Sequence, residues 1–314
     1  MKKVTNRMAR KDKECIIDNF NNGFIRIPFI LYSFHPLLIQ SYCIFLDYMK
    51  KFNNVYNIYM AFVIGLAGKG GTGKTSIAGL TVRYLIERKR RPVLAVDADS
   101  NSCLNETLGI DVPATIGRLR EESLQAIRSG GERLGGMSIE QLLEYHVQQS
   151  IIEAKGFDLI VMGRPEGPGC YCAANNILRK YTDKLSETYP YIVIDNEAGM
   201  EHLSRRTAQK IDLLLVLSDP TVRGIQTAKR INGLIDELGL EIKRRVLIIN
   251  RVSGNEGKEL KSLAESLGLI VAGTVPQDNM VFDYDLRGKP IFQLPNDSNA
   301  VKAVFSILDS LKIP

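Results

Sequence analysis

The run Gly68-Lys69-Gly70-Gly71-Thr72-Gly73-Lys74-Thr75 constrains the fold more than any other stretch of the chain. It satisfies the spacing G-x-x-x-x-G-K-[ST], follows the apolar run 62–67 and opens a helical pattern that begins near Thr75. A strand, a glycine-rich turn and a helix in that order make a cradle for phosphate. The glycines let backbone N–H groups turn inward without a Cβ clash, and the helix N-terminus adds partial positive charge. In such a cradle Lys74 neutralises β- and γ-phosphate oxygens, the Thr75 hydroxyl ligates Mg²⁺, and Ser76 belongs to the same nucleotide-contacting turn.

The rest of the chain suits that start. Short apolar runs at 62–67, 93–96, 157–162, 191–194, 213–217, 246–249 and 269–275 lack polar alternation, as strands covered on both faces should. Between them, residues 77–88, 139–149, 177–187, 225–238 and 260–267 carry apolar side chains at three- and four-residue steps. The expectation is an α/β fold: a doubly wound, mostly parallel sheet of seven strands with helices on both faces, the architecture of P-loop NTPases. Residues 110–155 are expected to form a helical excursion, broken at Gly130-Gly131 and Gly135-Gly136. No internal repeat or Pro/Ser-rich linker divides 60–314, which is taken as one domain.

Residues 1–59 differ in kind. They hold eleven of the 23 Phe and Tyr residues and one of the 26 glycines. They also hold nine Lys/Arg against four Asp/Glu, so most of the net charge of +6 resides there and 60–314 is nearly balanced. The body therefore lacks the basic excess expected of a phosphate-backbone binder, and no nucleic-acid partner is expected. The uncharged run 27–46 is interrupted by Pro28, His35, Pro36 and Gln40, which argues against a membrane span. The expectation is a mis-assigned or disordered leader, with translation starting at Met60. Five cysteines are too few for a disulfide scaffold and fit a cytoplasmic protein.

Further candidates stand at strand ends, where a parallel sheet places its ligands. Asp97-Ala98-Asp99 ends the second apolar run, and Ile192-Val193-Ile194-Asp195 has the form of a Walker B strand with Asp195 expected to hold Mg²⁺ through water. Strand-end aspartates also serve as helix caps, and that alternative stays open for Asp97 and Asp99. Asn250-Arg251-Val252-Ser253 lacks the final Asp of the guanine-reading Asn-Lys-x-Asp, which favours ATP over GTP. Pro276-Gln277-Asp278 is expected to close over the base. His202 is expected to pack or hydrogen-bond locally, because no second His stands at ligand spacing.

Lys69, which the general motif does not require, gives the phosphate loop the KGGTGKT form. That form resembles the deviant Walker A of dimeric ATPases that include the nitrogenase iron protein, MinD/ParA and metal-cofactor maturation factors. The resemblance implies a homodimer in which Lys69 reaches the partner's nucleotide, Asp99 orients the attacking water and Asp97 stands in the outer shell of Mg²⁺. It also implies that Gly199, within the second switch 196–203, senses the γ-phosphate and that Asn250 binds adenine. Relatives usually carry Pro where this chain has Ser100.

The segment Gly167-Pro168-Gly169-Cys170-Tyr171-Cys172 offers two thiols at i and i+2 in a Gly/Pro-rich loop. Two thiolates half-fill a tetrahedral or square-planar site, and a two-fold axis would supply the other half. The combination KGGTGKT, VDADSNSCL, RPEGPGCYC and DNEAGMEHLSR resembles the carbon monoxide dehydrogenase maturation ATPases of the CooC type over 60–314. That resemblance implies Ni²⁺ or Zn²⁺ held by Cys170 and Cys172 of each subunit. It also implies a client that is carbon monoxide dehydrogenase or the acetyl-CoA synthase complex. Cys103 is expected to be a small packed residue. Two other readings are a MinD/ParA-like positioning ATPase and an iron–sulfur electron donor. In the tail 300–313, Val301, Val304, Phe305, Leu308 and Leu311 have core spacing with only Lys302 and Lys312 as cations, which argues against stable membrane association.

Overall fold

The computed structural model describes residues 61–88, 92–99, 101, 103–119, 121–122, 139–163, 184–197 and 210–314. All lie within one compact unit, Tyr59–Pro314. In chain order the elements are β1 (Phe62–Gly68), α1 (Lys74–Glu87), β2 (Val93–Ala98), α2 (Leu104–Leu108), α3 (Ile139–Gln149), β3 (Ile152–Ala154) and β4 (Phe157–Val161). After these come β5 (Tyr191–Asn196), β6 (Lys210–Ser218), α4 (Val222–Glu237), β7 (Glu241–Val252), α5 (Glu256–Ser266), β8 (Val271–Pro276), α6 (Asn279–Leu286) and α7 (Asn299–Ser310).

The strands form one sheet in the order β3-β4-β2-β5-β1-β6-β7-β8, parallel except for β3. Strand order runs one way from β1 through β5 to β2 and the other way through β6, β7 and β8, so the reversal falls beside β1. The carboxyl end of β1 carries the phosphate loop, the position where open α/β sheets take ligands.

Each apolar strand serves two cores because successive side chains point to opposite faces. Ile64, Leu66, Ala95, Val193, Leu215 and Ile248 pack with α1 and α7. Their neighbours Val63, Leu94, Ile192, Leu214 and Ile249 pack with α4 and α5. This division explains the unbroken hydrophobic runs in the sequence: no strand position from 63 to 67 faces water. The tail behaves as its spacing predicted, with Val301, Val304 and Leu308 buried and Phe305 partly so. Leu308→Ala is expected to cost about 3 kcal/mol through the cavity it leaves, readable as a lower urea midpoint with an unchanged slope.

The sheet has eight strands among the described residues, not seven. The additional β3 lies inside the stretch expected to be purely helical and pairs antiparallel with β4 across Lys155-Gly156, where Gly156 has φ +97°. Three residues are too few to show periodicity, but a two-residue turn ending in Gly before an apolar run is a hairpin signal. The helices α2 and α6, both short, also escaped the sequence reading. The leader, the glycine-rich break and most of the 177–187 helix lie outside the described residues.

Candidate functional site

The phosphate loop forms because the last residue of β1 and two positions after it are glycines with positive φ: Gly68, Gly71 and Gly73 have φ +155°, +80° and +87°. A Cβ on Gly68 would stand 2.6 Å from the Leu217 carbonyl of β6, so the close approach of the two strands requires glycine there. Inside the loop the Lys69 carbonyl accepts from the Thr72 hydroxyl at 2.8 Å, and Ile77 N–H donates to the Gly73 carbonyl to begin α1. Lys69 is exposed, whereas Lys74 is buried at the base of the loop.

The carboxylates converge below it. Asp97 and Asp195 are register partners on the adjacent strands β2 and β5, and both are buried. Burial and the charge of Asp195 push Asp97 up to about 7, despite the backbone N–H groups it accepts. Burial likewise pushes Asp195 up to about 6, against the Thr75 hydroxyl that donates to it and the nearby Lys74 ammonium. Lys74 itself is pulled below its ordinary value by burial, with Asp195, Asp99 and Glu197 opposing. Groups whose environments drive them toward neutrality at one sheet edge are a sign of a site arranged for ligand charge.

The residues present fit a magnesium ion. Among the described residues Asp195 Oδ1 is buried with no hydrogen-bond partner, an uncommon state for a carboxylate oxygen, and the same side chain accepts from Thr75, the hydroxyl expected beside the metal. Two oxygens of the kind Mg²⁺ takes are thus already adjacent.

Asp97, Asp99, Asn250 and Asp278, all expected at the nucleotide, also hold backbone groups. Asp97 Oδ1 accepts from Asp99 N–H and Oδ2 from Leu104 N–H, both at 3.0 Å, so this side chain shapes the turn after β2 and starts α2. Asp99 is half-buried and accepts from Asn101 N–H at 2.8 Å. Asn250 Nδ2 donates to the Thr72 carbonyl at 2.8 Å, tying the end of β7 to the phosphate loop and leaving its second amide proton for other use. Gln277 N–H donates to the Val252 carbonyl, and Asp278 accepts from Met280 N–H, the Ser298 hydroxyl and Ala300 N–H, starting α6 and supporting the start of α7. Burial pushes Asp278 up, but these donors outweigh it and hold the carboxyl below its usual range.

Cys103 is exposed at the start of α2, not packed as expected: it precedes the first apolar position, Leu104, which takes the buried place instead. Gly199, His202, Cys170 and Cys172 lie outside the described residues. Among the described residues no group of three or more His, Cys, Asp or Glu gathers for a metal ion. Glu197, which the sequence placed in the second switch without a role of its own, stands just past the end of β5 and bears on Lys74. Arg251 was likewise given no role: its guanidinium donates to the Gly71 carbonyl at 3.0 Å.

A family model described as the CobQ/CobB/MinD/ParA nucleotide binding domain matches residues 63–291. The chain belongs to this family. An uncharacterized ATP-binding protein of Methanocaldococcus jannaschii is 41% identical over 249 residues, covering 79% of this chain and 98% of its own length. The carbon monoxide dehydrogenase accessory protein CooC of Rhodospirillum rubrum is 29% identical over 240 residues, covering 74% of this chain and 89% of its own length. Among solved structures, the cell division ATPase MinD of Pyrococcus furiosus superposes with a TM-score of 0.59 at 20% identity, over 81% of this chain and 99% of that one. That likeness bears on the fold alone. Among the described residues no helix is long and apolar enough to cross a membrane.

Proposed function

We propose that this CobQ/CobB/MinD/ParA-family protein is a dimeric ATPase that delivers a thiolate-bound metal ion. The observation that carries the ATPase half is Asp195 Oδ1, unpartnered among the described residues, beside the Thr75 hydroxyl and directly under the Lys74 loop. In this reading the loop N–H groups and Lys74 bind the phosphates, and Asp99 orients the water that converts ATP to ADP and phosphate. Thr75 and Asp195 would hold Mg²⁺, which neutralises phosphate charge when bound. Adenine is favoured over guanine because Ser253 stands where a guanine reader needs a carboxylate, and its hydroxyl donates to Gln277 Oε1 at 3.0 Å.

The delivery half rests on sequence: Cys170-Tyr171-Cys172 and the likeness to CooC. Each subunit contributes two thiolates, Lys69 reaches across the two-fold axis, and Ni²⁺ or Zn²⁺ is cargo for carbon monoxide dehydrogenase or an acetyl-CoA synthase complex. Nucleotide and cargo then share one interface and strengthen each other's binding. A positioning role like that of MinD is less well supported, because α7 spends its apolar side on the core.

Titration with Ni²⁺ or Zn²⁺ in the presence of ATP tests this. About one ion per dimer is expected from a four-thiolate site. Cys170→Ala/Cys172→Ala should lose it while ATP binding survives. Unchanged stoichiometry in that variant would remove the delivery half and leave the ATPase standing.

A further inference from the structure

The sheet carries a register irregularity where the site is built. Ile249 pairs with Thr274 and Val252 with Pro276, so β7 spends one residue more than β8 over the same interval. Surplus residues of this kind bend a strand and re-aim side chains beside active sites. Here the surplus falls on Asn250-Arg251, and Arg251 adopts φ +60°, a left-handed conformation that arginine rarely takes. The surrounding bonds hold it there: Arg251 N–H donates to Asn250 Oδ1 at 3.0 Å, and Val252 and Ser253 are fastened to Gln277.

The bulge delivers two adjacent side chains to three adjacent residues of the phosphate loop. The Arg251 guanidinium donates to the Gly71 carbonyl and the Asn250 amide to the Thr72 carbonyl. A Cβ on Gly73 would stand 2.4 Å from the Asn250 amide nitrogen, and the left-handed φ of +87° there independently favours glycine. Both bonds face carbonyls and so occupy none of the loop N–H groups that an anion would use. Arg251 is exposed, so its guanidinium does not serve the core.

We propose that Arg251 is a positioning residue that holds the Gly71 carbonyl and thereby sets the phosphate loop in its ligand-ready shape before nucleotide arrives. Its consequence for turnover rests on the ATPase reading above; its consequence for the loop does not. Loss of the bond loosens 70–74 without loosening the sheet, and nucleotide must then order the loop as it binds, which weakens binding more than the chemical step.

Arg251→Gly removes the guanidinium and relaxes the backbone, since glycine accepts φ +60° without strain. In the nucleotide-free protein, amide hydrogen exchange across 70–74 is expected to quicken about tenfold, confined to that segment, with the melting temperature not lowered. For ATP, KM should rise about tenfold with kcat within about twofold. Arg251→Lys, which keeps a cationic donor, should recover part of both effects. Loop exchange as slow in Arg251→Gly as in the parent overturns the proposal whatever happens to turnover, as does an acceleration shared by the whole sheet with a lowered melting temperature. A parent protein that fails to bind ATP, with the loop still loosened in Arg251→Gly, overturns the ATPase reading and supports the positioning role.

Discussion

Lys74→Ala should reduce ATP turnover by about 10³-fold or more, because the loop's other lysine, Lys69, is exposed and in the proposed dimer reaches the partner's nucleotide, so it cannot take the place of the buried Lys74 ammonium. Lys74 is 7% exposed and stands among Asp195, Asp99 and Glu197, so its removal also leaves those carboxylates facing phosphate oxygens with one positive charge fewer. Both effects act against the bound nucleotide. Lys74→Arg is not expected to restore activity, since the planar fork is larger than an ammonium and the slot at the start of α1 is already filled. Steady-state phosphate release with excess Mg²⁺ measures this. Turnover within tenfold of the parent in either variant would place the chemistry elsewhere.

Asp195→Asn should abolish Mg²⁺-dependent turnover to a similar degree, about 10³-fold, while making the nucleotide-free protein more stable above neutrality. The sign follows from the two buried carboxyls. In the fold Asp97 rises to about 7 and Asp195 to about 6, from an ordinary 3.8. Between those values the folded chain retains protons that the unfolded chain has released, so their contribution is full below about pH 4 and declines as pH climbs through 6 to 7. Asparagine removes one buried charge and its repulsion on Asp97. The variant should therefore melt higher than the parent at pH 8, by about 1 kcal/mol or more, and lose that advantage at pH 4. A gap between the two proteins that does not change with pH would refute the electrostatic account of the site. Mg²⁺ with nucleotide should raise the parent's melting temperature at pH 8 and leave Asp195→Asn nearly unmoved.

Much of this site was legible in the sequence because its chemistry lies in contiguous runs. The phosphate loop needs glycines at fixed steps, and the seven apolar runs needed no alternation because each strand divides its side chains between two cores. What escaped was set by pairing between distant segments. Ile152–Ala154 is too short to show periodicity, and its only local sign is the Lys155-Gly156 turn that precedes β4. Arg251 looks like any exposed cation until the count of residues between Ile249 and Val252 is compared with that between Thr274 and Pro276. Asp97 and Asn250 were recognised by type, yet their backbone partners, Leu104 and Thr72, depend on how the loops close. Cys103 was misjudged because a cysteine flanking an apolar residue gives no sign of which of the two turns inward.

The carboxylate of Asp278 begins one helix and braces another, and the two differ in their hold on the molecule. Helix α6 buries none of its residues and leaves Phe282 and Leu286 at 65% and 71% exposure, whereas α7 is anchored throughout its inner side. The outer helix therefore shares an anchor with the inner one through one ionised group, while Val281 and Tyr284 add partial packing on the core. Because donated N–H and O–H groups keep that acid ionised well into acidic solution, the anchor should survive changes of pH that would already have neutralised Asp97.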